Sequence, residues 1–227
     1  MWLMGRTIYH GSEMIVGEPI YGYGRTDNDY GKGFYCTEDV ELAREWASNT
    51  EKGGFLNKYE ILEDGLRIIN LRSPEYNILN WLAILLSNRR IRYSSPIEKR
   101  GAEYIIEQYF PDLKKADILV GYRADDSYFS FSRAFLSNTI TLEQLAHAMK
   151  YGNLGEQVVL VSKKAFERIE FNGAEVVDGK VYSPLRTKRD ATAREAYQLM
   201  LEEEQKTGIY LSEIMKEGIK DEQLRIL

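Results

Sequence analysis

One cysteine and two histidines are all that this chain of 227 residues holds of the side chains that form disulfides or favour zinc. Cys36 has no second cysteine to pair with, so the sequence implies no oxidising compartment. With His10 and His147 as the two imidazoles, a zinc site has too few ligands. Long apolar runs are missing as well. The most apolar stretch, 78–86, is broken by Asn80 and falls far short of the ~20 residues of a membrane span. The opening residues MWLMGRTIYHGSE hold no apolar run of the kind that directs secretion. A surplus of positive charge is also absent. The net charge of −5 excludes broad, nonspecific attraction to nucleic acid, though not a local basic groove. No repeat, low-complexity tract or Pro/Gly-rich linker divides the chain. These absences predict a cytoplasmic, metal-free protein with no membrane partner.

What is present suits one sizeable core: 44% of the residues are hydrophobic and 29% charged. Strand signals bounded by turn residues fall at 6–10 and 33–37, with a Gly/Asp/Asn-rich loop at 16–32 between them. Thr37 reads as the cap of a helix over 38–48 with an acidic first turn. Alternation predicts strands at 55–62 and 66–71, joined at Asp64-Gly65. Helices follow at 74–90 and 97–110, then a buried strand at 117–122. The capping box Thr141-Leu-Glu-Gln144 opens a helix that runs to Lys150 and stops at Gly152. A β-branched strand is expected at 157–162, and Val176-Val-Asp-Gly-Lys-Val181 reads as a hairpin. From Thr187 the chain is charged and helical, interrupted at Gly208. The expected class is α+β, with helices in the middle and a helical tail.

Three segments carry candidate chemistry. Tyr9-His10-Gly11-Ser12 ends the first strand. Tyr30-Gly-Lys-Gly-Phe-Tyr35-Cys-Thr forms the second, and Trp46 follows Tyr35 by eleven residues. Glu156-Gln157-Val-Val-Leu-Val161 is the late strand. Together they resemble the diphtheria-toxin-like branch of ADP-ribosyltransferases, which includes the poly(ADP-ribose) polymerases. A closer resemblance, through Asp117-Ile-Leu-Val-Gly-Tyr-Arg-Ala-Asp-Asp126 and the Gln-led strand, is to an uncharacterised bacterial family of that branch, often encoded in toxin–antitoxin-like gene pairs. The likeness covers about residues 6 to 170. It implies a split β-sheet core with a central helical insertion, a catalytic domain over 1–185 and a C-terminal helical extension over 186–227.

The resemblance also implies roles. Cleaving the nicotinamide–ribose bond of NAD⁺ passes through an oxocarbenium-like state, so holding nicotinamide, orienting ribose and stabilising charge all matter. Tyr35 and Trp46 would clamp the cationic nicotinamide between ring faces. His10 would hydrogen-bond the adenosine ribose, and the Gly11 backbone would grip the carboxamide, with no Cβ in the way. At the head of the late strand the polymerases place a glutamate. The apolar register here puts Gln157 at that point, with Glu156 on the opposite face. A glutamine accepts a hydrogen bond but brings no negative charge, which favours mono-transfer over chain elongation. The expected catalytic residues are therefore His10, Tyr35 and Gln157, and the NAD⁺-binding residues are His10, Gly11, Arg25, Tyr35 and Trp46.

Other features admit two readings. Arg25 and Arg123 are each a diphosphate contact or a solvated charge. Asp125-Asp126 is an acid pair or a helix cap for 127–136. Arg89, Arg90 and Arg92 with Lys99 and Arg100 guide an acidic target or end a helix in solvent. His147 reads as structural and Cys36 as packed. The C-terminal helices cover the sheet, mediate dimerisation or meet a protective partner. The expected function is NAD⁺-dependent mono-ADP-ribosyl transfer to a protein or nucleic-acid acceptor by a bacterial toxin with an antitoxin. The rival is a noncatalytic NAD⁺- or ADP-ribose-binding module.

Overall fold

A computed structural model describes residues 5–48, 51–124, 126–149, 155–203 and 208–224. Two small sheets form an α+β fold. The first is antiparallel, in the order β1 (Arg6–Ser12), β3 (Gly54–Ile61), β7 (Ile169–Val177). The second runs β2 (Phe34–Cys36), β6 (Glu156–Leu160), β5 (Ile118–Tyr122), β4 (Ile68–Asn70), with β4 and β5 parallel. Because strand side chains alternate between faces, Ile118, Val120, Val158 and Leu160 point into one apolar cluster with Ile8, Tyr59 and Ile61 of the first sheet. Cys36 is fully buried there, and burial pushes its thiol pKa well up, so it is a packed thiol and a poor nucleophile.

The opposite face of the second sheet carries Leu119 and Val159 into a larger helical core. At its centre lies α2 (Ile78–Asn88), apolar on nearly all sides. Around it pack α3 (Pro96–Tyr109), α4 (Asp126–Leu136), α5 (Leu142–Ala148), α7 (Gly179–Glu203) and α8 (Leu211–Glu217). Two short helices, α6 (Lys163–Phe166) and α9 (Asp221–Leu224), complete the described elements together with α1 (Val40–Ala47), which lies across β1 and β3. Among the described residues no helix is long and apolar enough to cross a membrane.

Several local expectations are corrected. Thr37 does not cap α1. Asp39 does, accepting from the amides of Glu41 and Leu42, while the Thr37 hydroxyl accepts from the Asp39 amide. The turn at Asp64-Gly65 does not close a hairpin, because β3 and β4 belong to different sheets. The stretch 176–181 is not a hairpin either. β7 already has β3 as its neighbour, and Asp178 turns the chain into α7 by accepting from the Lys180 amide at 2.9 Å. The capping box at Thr141 and Gln144 is present, while the expected stop at Gly152 lies outside the described residues. Asp125 is also outside them, and Asp126 is the first residue of α4.

A single helix, α7, runs through the expected division at 185/186. Its Tyr197 and Met200, with Leu211, Ile214 and Leu224, belong to the helical core. The Arg189 guanidinium grips the Glu45 carboxylate of α1 in a fork, at 2.8 Å from Nε and 2.6 Å from Nη2. Glu45 is buried, its side chain only 5% exposed. Removing one partner of such a pair leaves an uncompensated charge inside the protein. Arg189→Ala is therefore expected to lower unfolding free energy by about 3–5 kcal/mol. Urea titration checks this, and a loss below about 0.5 kcal/mol, the size of an ordinary surface change, would show that α7 does not depend on this fork.

Candidate active site

The site begins where the two sheets meet edge to edge. β1 and β2 are joined by one bridge, Tyr9 N to Thr37 O at 2.8 Å and Thr37 N to Tyr9 O at 2.9 Å. Next to it, the Nδ1 of His10 lies 2.7 Å from the carbonyl oxygen of Tyr35. A carbonyl only accepts, so Nδ1 carries the proton, and in the neutral ring Nε2 is left as an acceptor. Burial lowers the His10 pKa, against the opposing effect of that carbonyl bond. The Phe34 ring packs against the imidazole at 4.6 Å between centroids.

Tyr35 is fixed at its far end. Its hydroxyl donates to the Gly31 carbonyl at 2.6 Å and accepts from the Tyr30 amide at 3.1 Å. Burial pushes its phenol pKa up, so it stays protonated. The glycines of this segment are set by packing. Gly31 has φ +74°, and a Cβ at Gly33 would lie 2.7 Å from Val159 Cγ1 and 2.8 Å from the Leu160 carbonyl oxygen. Gly11 is equally constrained. A Cβ there would sit 2.0 Å from the Ala43 carbonyl oxygen and 2.6 Å from the Ala47 nitrogen, so α1 rests directly on the β1 backbone. That contact sets the place of Trp46, whose ring lies under the Arg123 guanidinium at 5.4 Å.

Gln157 lies opposite Gly121, two residues along β6 from Val159, whose register partner is Tyr35. Period two puts Gln157 on the Tyr35 side. Glu156 instead pairs with Arg72. The loop 13–33 forms the outer wall. It is anchored by the buried Asn57, which accepts from the Val16 amide at 2.8 Å and donates to Ser12 Oγ at 3.0 Å.

The result is a cleft of ≈ 1150 Å³ lined by His10, Gly11, Arg25, Tyr35, Trp46 and Gln157 together. Arg25 stands at its rim, 76% exposed and paired with Asp27 at 3.1 Å. Arg89, Arg123 and Arg186 line it too, as does Asp29. Sequence reasoning did not place Asp29, Arg186 or Asn57 here, and it left Arg89 in a surface cluster. Asp29 adjoins the Tyr30 motif, and Arg89 ends the most apolar helix; these are the two signals that pointed this way. Among the described residues, three buried side-chain atoms lack a hydrogen-bond partner, Trp46 Nε1, Arg89 Nε and Gln157 Oε1, and all three residues line this cleft.

Fold and cleft define an α+β protein with a large cleft whose wall mixes apolar and charged side chains. The chain belongs to the family described as "Protein of unknown function (DUF3990)", whose sequence model matches residues 6–171. No curated protein matches it.

The neutral state of His10 has a direct readout. Its depressed pKa means the folded protein binds this proton less tightly than the unfolded chain, so the ring favours folding above its ordinary value and that contribution is lost as pH falls. Imidazole ¹⁵N NMR is expected to show His10 titrating below the ordinary value of about 6.5, with the proton on Nδ1. A midpoint above that value would reverse the assignment of Nε2 as an acceptor.

Proposed function

We propose that this protein is an NAD⁺-dependent mono-ADP-ribosyltransferase, of the glycosyltransferase class, that passes ADP-ribose to a protein or nucleic-acid acceptor. One observation carries the reading: the convergence of His10, Tyr35, Trp46 and the guanidinium groups of Arg89, Arg123 and Arg186 on one cleft. A dinucleotide asks for that set. Its hydroxyls suit the acceptor nitrogen of a neutral imidazole, its pyridinium suits aromatic faces, and its diphosphate suits guanidinium forks. Three buried polar atoms without a hydrogen-bond partner belong to residues that line this cleft: Arg89 Nε, which faces Asp29, and the neutral Trp46 Nε1, a donor, and Gln157 Oε1, an acceptor. The two neutral groups cost about 1–3 kcal/mol each while unpaired, and a ligand bearing hydroxyl and amide groups relieves both.

In this reading the two sheets are an ADP-ribosyltransferase-like split core, with α2 to α5 as the central insertion. Tyr35 and the Trp46 face turned away from Arg123 hold the nicotinamide. His10 and the Gly11 backbone fix a ribose and the carboxamide, and Arg25 reaches the diphosphate from the rim. Gln157 orients the ribose whose bond is cut. Its uncharged amide limits activation of an incoming sugar hydroxyl, which supports transfer of one unit. A protein that consumes NAD⁺ and marks macromolecules harms its own host when unrestrained. We therefore read it as a bacterial, cytoplasmic toxin held by an antitoxin partner.

The test is direct. Purified protein is expected to bind NAD⁺ and, with cell lysate, to release nicotinamide; mass analysis with labelled NAD⁺ then identifies the acceptor. Trp46→Ala is expected to weaken NAD⁺ binding about tenfold, the worth of one cation–π face. Expressed alone in a bacterial host, the intact chain should arrest growth and Tyr35→Ala should relieve the arrest. Binding without nicotinamide release would instead favour a noncatalytic module, and absence of NAD⁺ binding would end the reading.

A further inference from the structure

The loop between β1 and β2 displays apolar side chains that the fold does not use. Met14, Ile15, Ile20, Tyr21 and Tyr23 are all exposed, from 54% at Ile15 and Tyr21 to 85% at Tyr23. Scattered apolar residues at a surface are ordinary, whereas a gathered group marks an interaction site. These are gathered: Met14, Ile15, Ile20 and Tyr23 line the cleft. The loop that carries them is held in place. Buried Asn57 accepts from the Val16 amide at 2.8 Å and donates to the Met14 carbonyl at 3.3 Å, and the Tyr59 hydroxyl donates to the Val16 carbonyl. The Tyr21 ring meets Phe166 edge-on at 5.5 Å, and a Cβ at Gly24 would lie 2.6 Å from the Gly33 carbonyl oxygen.

The cleft wall therefore has two parts of unlike chemistry. Strand ends and helices supply His10, Arg89, Arg123 and Gln157, while the loop supplies aliphatic and phenolic side chains. The volume of ≈ 1150 Å³ also exceeds the roughly 300–1,000 Å³ of a pocket for one small ligand. We propose that loop 13–24 is the docking surface for the acceptor, and that this acceptor is a polypeptide segment carrying apolar side chains beside a lysine or arginine. Its place in a transfer reaction rests on the transferase reading given above.

Charge selects this occupant. Residues 13 to 24 include no lysine or arginine. They include Glu13 and Glu18, both exposed and without an ion pair among the described residues. Arg25, which follows the loop directly, is paired with Asp27 at 3.1 Å. The other guanidiniums of the cleft, on Arg89, Arg123 and Arg186, come from the ends of α2 and β5 and from α7, and serve the diphosphate in that reading. A surface for single-stranded nucleic acid joins aromatic rings to a positive groove that tracks the phosphates. Here the tyrosines stand among aliphatic side chains and carboxylates, which repel phosphates. Tyrosine and methionine are enriched in protein interfaces, and the two unpaired carboxylates complement a cationic partner.

The experiment uses the full chain, a variant with Ile20→Ser and Tyr23→Ser, and a second with Glu13→Lys and Glu18→Lys. Both variants should melt with the parent, since the changed side chains are exposed. Affinity for NAD⁺ and nicotinamide release without acceptor should stay within about twofold of the parent. Transfer of labelled ADP-ribose to lysate macromolecules should fall about tenfold or more in each, the effect of losing a binding hot spot. Protease should release the label and nuclease should not. Label released by nuclease, or parental transfer by both variants, overturns the proposal. Loss of NAD⁺ affinity in the Ile20/Tyr23 variant also overturns it, because the loop then serves the dinucleotide. A parent that fails to bind NAD⁺ or to transfer overturns the transferase reading instead. The surface is then decided by fluorescence anisotropy with mixed short peptides of Leu, Tyr and Lys, against mixed-sequence single-stranded RNA and DNA. Peptide binding by the parent that both variants lose supports the surface, and absent peptide binding or tighter binding of nucleic acid overturns it.

Discussion

Two backbone hydrogen bonds between Tyr9 and Thr37 hold the sheets together at their edges, and the cleft exists because that ladder stops there. A continued ladder would pair the next strand residues and close the gap. Instead the His10 side chain takes the carbonyl of Tyr35, and a ring occupies the place of a backbone partner. The substitution satisfies a buried carbonyl, fixes which nitrogen of the imidazole carries the proton, and leaves β1 and β2 free to diverge. On the far side of this point the apolar cluster of Ile8, Val120 and Val158 keeps the two sheets packed face to face. The site is thus the unzipped end of an otherwise closed interface.

Around that end the glycines do two things at once. Gly11 lets α1 lie on β1, and that contact carries Trp46 to the cleft. Gly33 lets the loop before β2 touch β6, which brings Tyr35 beside the strand that bears Gln157. The spacings His-Gly and Gly-Lys-Gly-Phe-Tyr that resemble a ligand-binding signature are therefore packing constraints in this fold. A sequence comparison cannot separate the two meanings, because the backbone approaches that need glycine are the ones that build the pocket wall.

Elements with strong periodicity were legible in the sequence: α2 and α3 by their apolar faces, β5 and β6 by their β-branched runs, and α5 by its capping box. Of the six residues expected at a site, His10, Gly11, Tyr35 and Gln157 lie in short strand motifs, Arg25 in the loop between β1 and β2 and Trp46 on α1, and the structure sets all six on one cleft. What was missed lacks local signal. β7 shows weak alternation with half its residues exposed, and its pairing with β3 is decided more than a hundred residues away. The Asp-Gly at 178–179 fits a tight turn and a helix start equally well, and the neighbour already in place on β3 chooses between them. Asp29 is held by groups at residues 89 and 124, which no window along the chain brings together.

The segment beyond residue 171, outside the family match, is bound into the same construction. α7 presents Arg186 to the cleft and, one turn later, places Arg189 on Glu45. Glu45 is the residue before Trp46 on the short helix α1, and a helix of eight residues has little stability of its own. α1 is therefore held from two sides, by the β1 backbone at Gly11 and by the Arg189 fork from α7. Any shift of α7 would move both the indole and a guanidinium of the cleft wall. The C-terminal helices serve as the outer support of the site, because α1 alone cannot hold an aromatic wall in place.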